Sequence, residues 1–275
     1  MTPPVSVCIP VYRGEEHLAV AIESVLAQTF TDFELVVLDN CSPDRSGEIA
    51  ASYRDPRLRI ETNPEVLPLT ENWNTAVRLT RAPLVKLLCD DDLLHPRCLE
   101  LQAAALRDDP GLAVVASRQH LIDRDGRIVV PARFLRGLLG PRTRSEVVRR
   151  VVRAGANPVG QTAGVTFRRS AFDATDGFVA EKTFVGDIDL IVALTASGGF
   201  LGQRESLAAA RLVPTSAFAF ARPQDFAVQK AFLRELRRAP GGRVRRLDVI
   251  AGDVAGPVAR LRRAAGSRLA AHRGA

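Results

Sequence analysis

Over residues 5–108, short apolar runs rich in β-branched residues alternate with amphipathic helical stretches, and this alternation restricts the fold more than any other feature of the chain. VSVCIPV (5–11), ELVVLD (34–39), LRIET (58–62) and LVKLLC (84–89) read as strands. Between them EEHLAVAIESVLAQT (15–29) sets Leu18, Ala21, Ile22, Val25 and Leu26 at helical spacing. SGEIAASYR forms a second helix, and TENWNTAVRLT (70–80) a third with Thr70 as its N-cap. PRCLELQAAALRD follows as a helix with Pro96 in its first turn. Such alternation implies an α/β fold with a mainly parallel central sheet flanked by helices on both faces. Ligands in these sheets bind outside the carboxyl ends of the strands. Asp39 and the triplet Asp90, Asp91 and Asp92 all stand at that end, so they are expected to share one site.

The triplet carries its own chemistry. An apolar run, LVKLLC, ends abruptly in three carboxylates that repel one another. A hard divalent cation among them turns repulsion into attraction, and Mg²⁺ or Mn²⁺ commonly completes its shell with substrate phosphates. A solvated acidic loop is the plain alternative; the shared edge with Asp39 favours the cation.

Beyond residue 110 the periodicity loosens. LAVVASRQHLIDRDGRIVV reads as a hairpin turning at Asp125-Gly126. Residues 143–154 are helical, and TAGVTFRRSAF is a strand leading into a short helix. DIDLIVALTASGG reads as a helix closed by Gly198 and Gly199, LAAARLV as a last strand and 223–238 as a further helix. One domain is expected over residues 1–240, followed by an Ala/Arg-rich extension, 241–275, that is helical or disordered.

The net charge of +7 sits in that extension and the helix before it. Residues 230–275 hold 12 Lys and Arg against three acids, which leaves the rest of the chain near −2. The arginines are not interleaved with aromatic residues that could stack on bases, so a nucleic-acid partner is not expected. The four cysteines show no metal-ligand or redox spacing, which fits a reducing, cytoplasmic setting. No leader opens the chain and no apolar run reaches 18 residues, so no membrane span is expected.

The chain resembles the family 2 glycosyltransferases, inverting enzymes with the GT-A fold. The resemblance rests on residues 5–44 (VSVCIPVYRGEEHLAVAIESVLAQTFTDFELVVLDNCSPD), on N-W-N-T-A at 72–76, and on CDDDLLHPRCLE. GVTFRRSAF and DIDL (187–190) extend it, in collinear order, to about residues 4–215. It implies metal-dependent transfer of a sugar from a nucleotide-diphosphate donor to an acceptor hydroxyl on a glycan, a lipid-linked or a small molecule.

It also implies roles for single residues. Asp39 would accept the N3–H of a uracil or thymine, which points to a UDP- or dTDP-sugar; capping of the following turn is the alternative. Pro10 and Tyr12 would shape the same pocket, and Glu16 would touch the nucleoside or stabilise its helix. The family pattern Asp-x-Asp-Asp has Cys89 in its first place here. Asp91 is then the metal ligand for Mg²⁺ or Mn²⁺, Asp90 contacts ribose or metal-bound water, and Asp92 caps the helix beginning at Pro96. Asp187 is the expected catalytic base and Asp189 its lesser rival, with Gly186 where the family often has Glu. Arg168 and Arg169 could reach the donor phosphates or an anionic acceptor, or stand as solvated surface arginines; Arg211 is a candidate for the diphosphate, and Trp73 is expected to pack in its helix.

No Gly-rich dinucleotide or P-loop motif is present, which argues against an oxidoreductase or a P-loop NTPase. The competing reading is a non-catalytic sugar-nucleotide or carbohydrate-binding module on the same fold. The basic tail is expected to be disordered, to hold a polyanionic acceptor, or to touch an anionic membrane at its inner face.

Overall fold

The structure, a computed structural model, describes residues 2–212, 223–238 and 243–258. Its first half follows the alternation. β1 (Val5–Val11), α1 (Leu18–Leu26), β2 (Phe33–Asp39), α2 (Ser46–Ser52), β3 (Leu58–Thr62), α3 (Leu69–Leu79), β4 (Leu84–Leu87), β5 (Leu93–Leu94) and α4 (Cys98–Asp108) come in order. Then follow β6 (Leu112–Ile122), β7 (Ile128–Arg133), β8 (Gly140–Arg142), α5 (Arg144–Ala154), β9 (Val165–Arg168), α6 (Arg169–Asp173), α7 (Gly186–Leu194), β10 (Gly199–Arg211) and α8 (Pro223–Arg238). A further helix, α9, runs over 246–258.

The strands form one sheet in the order β3-β2-β1-β4-β9-β6-β10-β5, with β7 and β8 appended to β6 and β10. β3, β2, β1 and β4 are parallel, as are β6 and β10, while β9 runs antiparallel between β4 and β6. The sheet is therefore mostly parallel but mixed. Alternate side chains feed two cores. Val5, Val7, Ile9, Leu35 and Val37 meet Leu18, Ile22 and Leu99 on one face, whereas Cys8, Val36 and Leu38 meet Val77, Val148 and Ile188 on the other. Strands buried on both faces read as continuous apolar runs, which is why β1 and β2 lack polar alternation.

Several local expectations are corrected. Thr70 lies inside the first turn of α3, whose N-cap is Pro68. α7 ends at Leu194 with Thr195 as its C-cap, short of the two glycines, because the chain must turn early to enter β10 at Gly199. β10 begins eight residues before the expected LAAARLV; its polar GQRES stretch pairs with β6 through two register shifts, which breaks the strand periodicity. The hairpin is present, with Gly126 at φ 84° in its turn. Among the described residues no helix is long and apolar enough to cross a membrane.

Candidate active site

Register places the carboxyl ends of the first strands side by side. Val11 pairs with Asp39 across β1 and β2, and Cys8 with Leu87 across β1 and β4, so the segments leaving these strands emerge together. They line a cleft of about 480 Å³. Pro10, Tyr12 and Asn40 form one wall, the segment around Leu67, Leu69, Asn72 and Trp73 a second, and Cys89–Asp92 the floor. Thr162, Phe184, Asp187 and Arg211 close it from the other half of the chain. Residues far apart in sequence thus meet: Pro10, Tyr12, Asp90, Asp91, Asp92, Asp187 and Arg211 border one space.

The acids are packed where ionisation is opposed. Burial, with the charge of Asp91 beside it, pushes Asp90 up to about 7. Burial likewise raises Asp91, and it raises Asp92 strongly with Asp91 adding to the effect. Asp92 is 2 % exposed. Its Oδ1 accepts the Arg211 backbone N–H at 2.9 Å, while its Oδ2 is buried with no hydrogen-bond partner among the described residues. Asp92 is therefore no helix cap: α4 starts at Cys98 after Arg97, and the Asp92 carboxylate turns inward. One oxygen each from Asp91 and Asp92 and the Cys89 Sγ lie within 4.8 Å of one another. Cys89 is held as a neutral thiol by burial and by the surrounding acids, and a neutral thiol is a poor ligand for a hard cation. The two carboxylates, one with an orphaned buried oxygen, fit Mg²⁺ or Mn²⁺.

Asp187 occupies the first turn of α7 without capping it, and burial pushes it up to about 7. Its charge is near enough to raise Asp92 and Cys89. Asp189, two residues on, points elsewhere, to Lys182 at 3.2 Å. Asp39 is buried at the end of β2, outside the cleft lining, and its Oδ1 accepts the Ser42 N–H at 3.1 Å, so it shapes the turn after Asn40, which does line the cleft. Glu16 lies outside the cleft lining and pairs with Arg124, which holds its carboxyl low.

Arg211 is buried at the end of β10 and braces the floor. Its Nε donates to the Asp91 carbonyl at 2.9 Å and its Nη1 to the carbonyls of Asp123 and Arg124 at 2.9 and 2.6 Å. Arg168 is a correction. Leu84 pairs with Arg168, which puts it at the opposite edge of the sheet, where its guanidinium donates to the carbonyls of Leu106, Asp109 and Leu112 at the end of α4. Arg169 similarly reaches the Ala82 carbonyl and the end of α3.

Sequence reasoning missed the residues that hold the walls. Asn40 Oδ1 accepts from Asn63 Nδ2 at 2.8 Å and from the Leu67 N–H at 2.9 Å, and Asn63 also donates to Asn72 at 2.9 Å. This network pins the 66–69 segment beside the cleft. Asn74 exchanges two hydrogen bonds with the Phe178 backbone, at 2.8 and 2.9 Å, fixing the approach to Asp187. Trp73 packs edge-on against Phe178 at 5.0 Å as well as facing the cleft. Lys86, fully buried, donates to the Ala163 and Val165 carbonyls at 2.7 and 3.0 Å and so ties β4 to the segment carrying Thr162. Gly14 is required for the Asp90 position, since a Cβ there would stand 2.3 Å from Asp90 Oδ2. The Asn-x-Asn spacing at 72–74 was the one available signal, because alternate buried polar residues on a helix demand partners.

Comparison with known proteins follows the same outline. The family profile of Glycosyl transferase family 2 matches residues 6–175. An uncharacterized protein of Mycobacterium tuberculosis, MT1568, is 31 % identical over 201 residues, covering 70 % of this chain; the chain thus spans 62 % of that relative's length. Staphylococcus aureus TarS 1–349, solved in complex with UDP-GlcNAc, superposes with a TM-score of 0.65 at 19 % identity, over 86 % of this chain and 66 % of that one. The mannosyltransferase PcManGT from Pyrobaculum calidifontis, solved with GDP-Man and Mn²⁺, superposes with a TM-score of 0.59 at 16 % identity, over 95 % and 76 %. The shared fold is GT-A.

Proposed function

Because this chain belongs to glycosyl transferase family 2, we propose that it transfers a sugar, with inversion, from a UDP- or dTDP-linked donor to an acceptor hydroxyl. The observation that carries the reading is the convergence, in one cleft at the carboxyl edge of the sheet, of the Asp91–Asp92 pair and Asp187.

The residues divide the work. Asp39, with Pro10 and Tyr12, receives a pyrimidine whose N3–H is a donor. Asp91 and Asp92 would hold Mg²⁺ or Mn²⁺, which supplies positive charge against the departing diphosphate when bound; the Mn²⁺ present with PcManGT supports this choice. Asp187 accepts the proton of the acceptor hydroxyl as its oxygen bonds to the anomeric carbon and the bond to the diphosphate oxygen breaks on the opposite face. A base is most effective when its pKa lies near the working pH, and burial has brought Asp187 to about 7. Arg211 acts through the floor it braces. The GT-A likeness to TarS bound to UDP-GlcNAc supports a uridine donor. A cytoplasmic site of action, with basic C-terminal residues touching the inner membrane face, belongs to the same reading.

The test is release of nucleoside diphosphate from a panel of nucleotide sugars, with Mn²⁺ or Mg²⁺ and then with a chelator. Release from a UDP- or dTDP-sugar that the chelator stops is the expected result. Donor-induced thermal stabilisation with no release from any donor would identify a binding module instead.

A further inference from the structure

The helix α9 is amphipathic in an unusual sense: both of its faces are specialised. Its inner face docks on α5. Asp248, 1 % exposed, pairs with Arg149 at 2.9 Å and Arg153 at 3.4 Å. Gly252 and Gly256 lie against the α5 end, where a Cβ on Gly252 would stand 2.0 Å from the Val152 carbonyl oxygen. The outer face carries Leu247, Ile250, Val254 and Val258, spaced by three, four and four residues and therefore in one stripe. They are 73, 59, 67 and 44 % exposed. Four aliphatic side chains in a row facing water on a docked helix require an explanation.

The charge beside the stripe supplies one. Arg136, Arg142, Arg149, Arg150 and Arg153 line an open cavity of about 710 Å³ in which Glu146 is the one acid among the described lining residues. Arg149 and Arg153 are the same residues that anchor Asp248, so cavity and helix are contiguous. Arg243, Arg245 and Arg246 stand exposed at the start of α9. Arginine does not relieve such crowding by losing its proton; it takes an anion. The residues after 258 add five arginines and no acid to the sequence. A second copy of this chain covering the stripe would bring two such arginine clusters together, whereas an anionic surface satisfies the stripe and the charges at once.

We propose that the outer face of α9, with the arginine-lined cavity of α5 beside it, docks the protein on an anionic lipid bilayer, the stripe inserted among acyl chains and the arginines on headgroup phosphates. This deepens the membrane part of the reading above and names its surface; it is independent of the transfer chemistry.

The test is co-sedimentation of the full chain, without donor or cation, with phosphatidylcholine vesicles containing or lacking about one third phosphatidylglycerol. Binding to the anionic vesicles only is expected. The triple variant Leu247→Ser/Ile250→Ser/Val254→Ser, at exposed positions, should keep its melting temperature and bind about ten-fold or more weakly. Arg136→Gln/Arg150→Gln should weaken binding and its salt dependence together. The proposal falls if the wild type ignores anionic vesicles. It falls equally if the serine variant binds as well as wild type, which would leave headgroup capture by arginines alone. Light scattering that shows a dimer, abolished by the serine variant, in a protein that does not bind vesicles would assign the stripe to a second copy.

Discussion

Replacing Asp187 by Asn should stabilise the protein while disabling it, and the gain should depend on pH in a calculable way. Burial lifts the Asp187 carboxyl from 3.8 to about 7. For an acid with a raised folded pKa, the unfolded chain loses its proton first. Stability therefore falls as pH rises from about 4 to 7 and then levels off. At about 1.4 kcal/mol per factor of ten in equilibrium constant, the full gap costs the native state up to about 4 kcal/mol at pH 8 and about 0.6 kcal/mol at pH 4. Asn has the same shape and no charge, so the stability difference between Asp187→Asn and wild type should widen by about 3 kcal/mol over that range. The other buried acids are common to both proteins and cancel to first order. The residual coupling has the same sign, because the Asp187 charge also raises Asp92. Urea unfolding of both proteins at pH 4, 6 and 8, without cation, measures the widening. Turnover measured alongside should fall about 100-fold or more with the base removed. A stability difference that stays flat within about 0.5 kcal/mol, or a variant that keeps wild-type turnover, would refute the assignment.

Asp91→Asn should cut cation-dependent turnover about 100-fold or more while raising the cation-free melting temperature near neutral pH, because it removes a buried charge; diphosphate release with added Mn²⁺ and thermal unfolding without it check the two halves. Gly14→Ala places a methyl on Asp90 Oδ2 and Val11 Cγ2, so about 1–3 kcal/mol of stability should be lost and KM for the donor should rise. Asp39→Asn keeps the acceptor for the Ser42 N–H, so its melting temperature should hold while KM for a uridine donor rises about ten-fold. Asp248→Asn should release α9 and speed amide exchange over 246–258 at neutral pH. Burial alone would raise Asp248, but Arg149 and the Arg245 N–H hold it below its ordinary value. The wild-type docking is accordingly intact above about pH 4 and lost as pH falls through the depressed folded pKa, which exchange followed on progressive acidification would show.

What is legible in the sequence alone is governed by range of interaction. β1, β2, β3 and α8 lie within a residue of where periodicity put them, because a doubly buried strand or an amphipathic helix writes its environment into consecutive residues. β5 is two residues long and exists only because Leu93 and Leu94 pair with Ala209 and Ala208, over a hundred positions away. The acids were visible as residue types at strand ends, but their orientations were not. Asp92 looked like a cap from its distance to Pro96, whereas Arg211 turns it inward from the far end of β10. Arg168 and Arg211 show the same limit from opposite sides. Each is an arginine at the end of a late strand, and strand direction alone separates them. β9 runs antiparallel to β4 and carries Arg168 away from the cleft, while β10 runs parallel to β6 and delivers Arg211 to it. In a mixed sheet, a residue at a strand's carboxyl end belongs to the ligand edge only when that strand runs with the parallel set, and direction is a property of pairing partners that no local window contains.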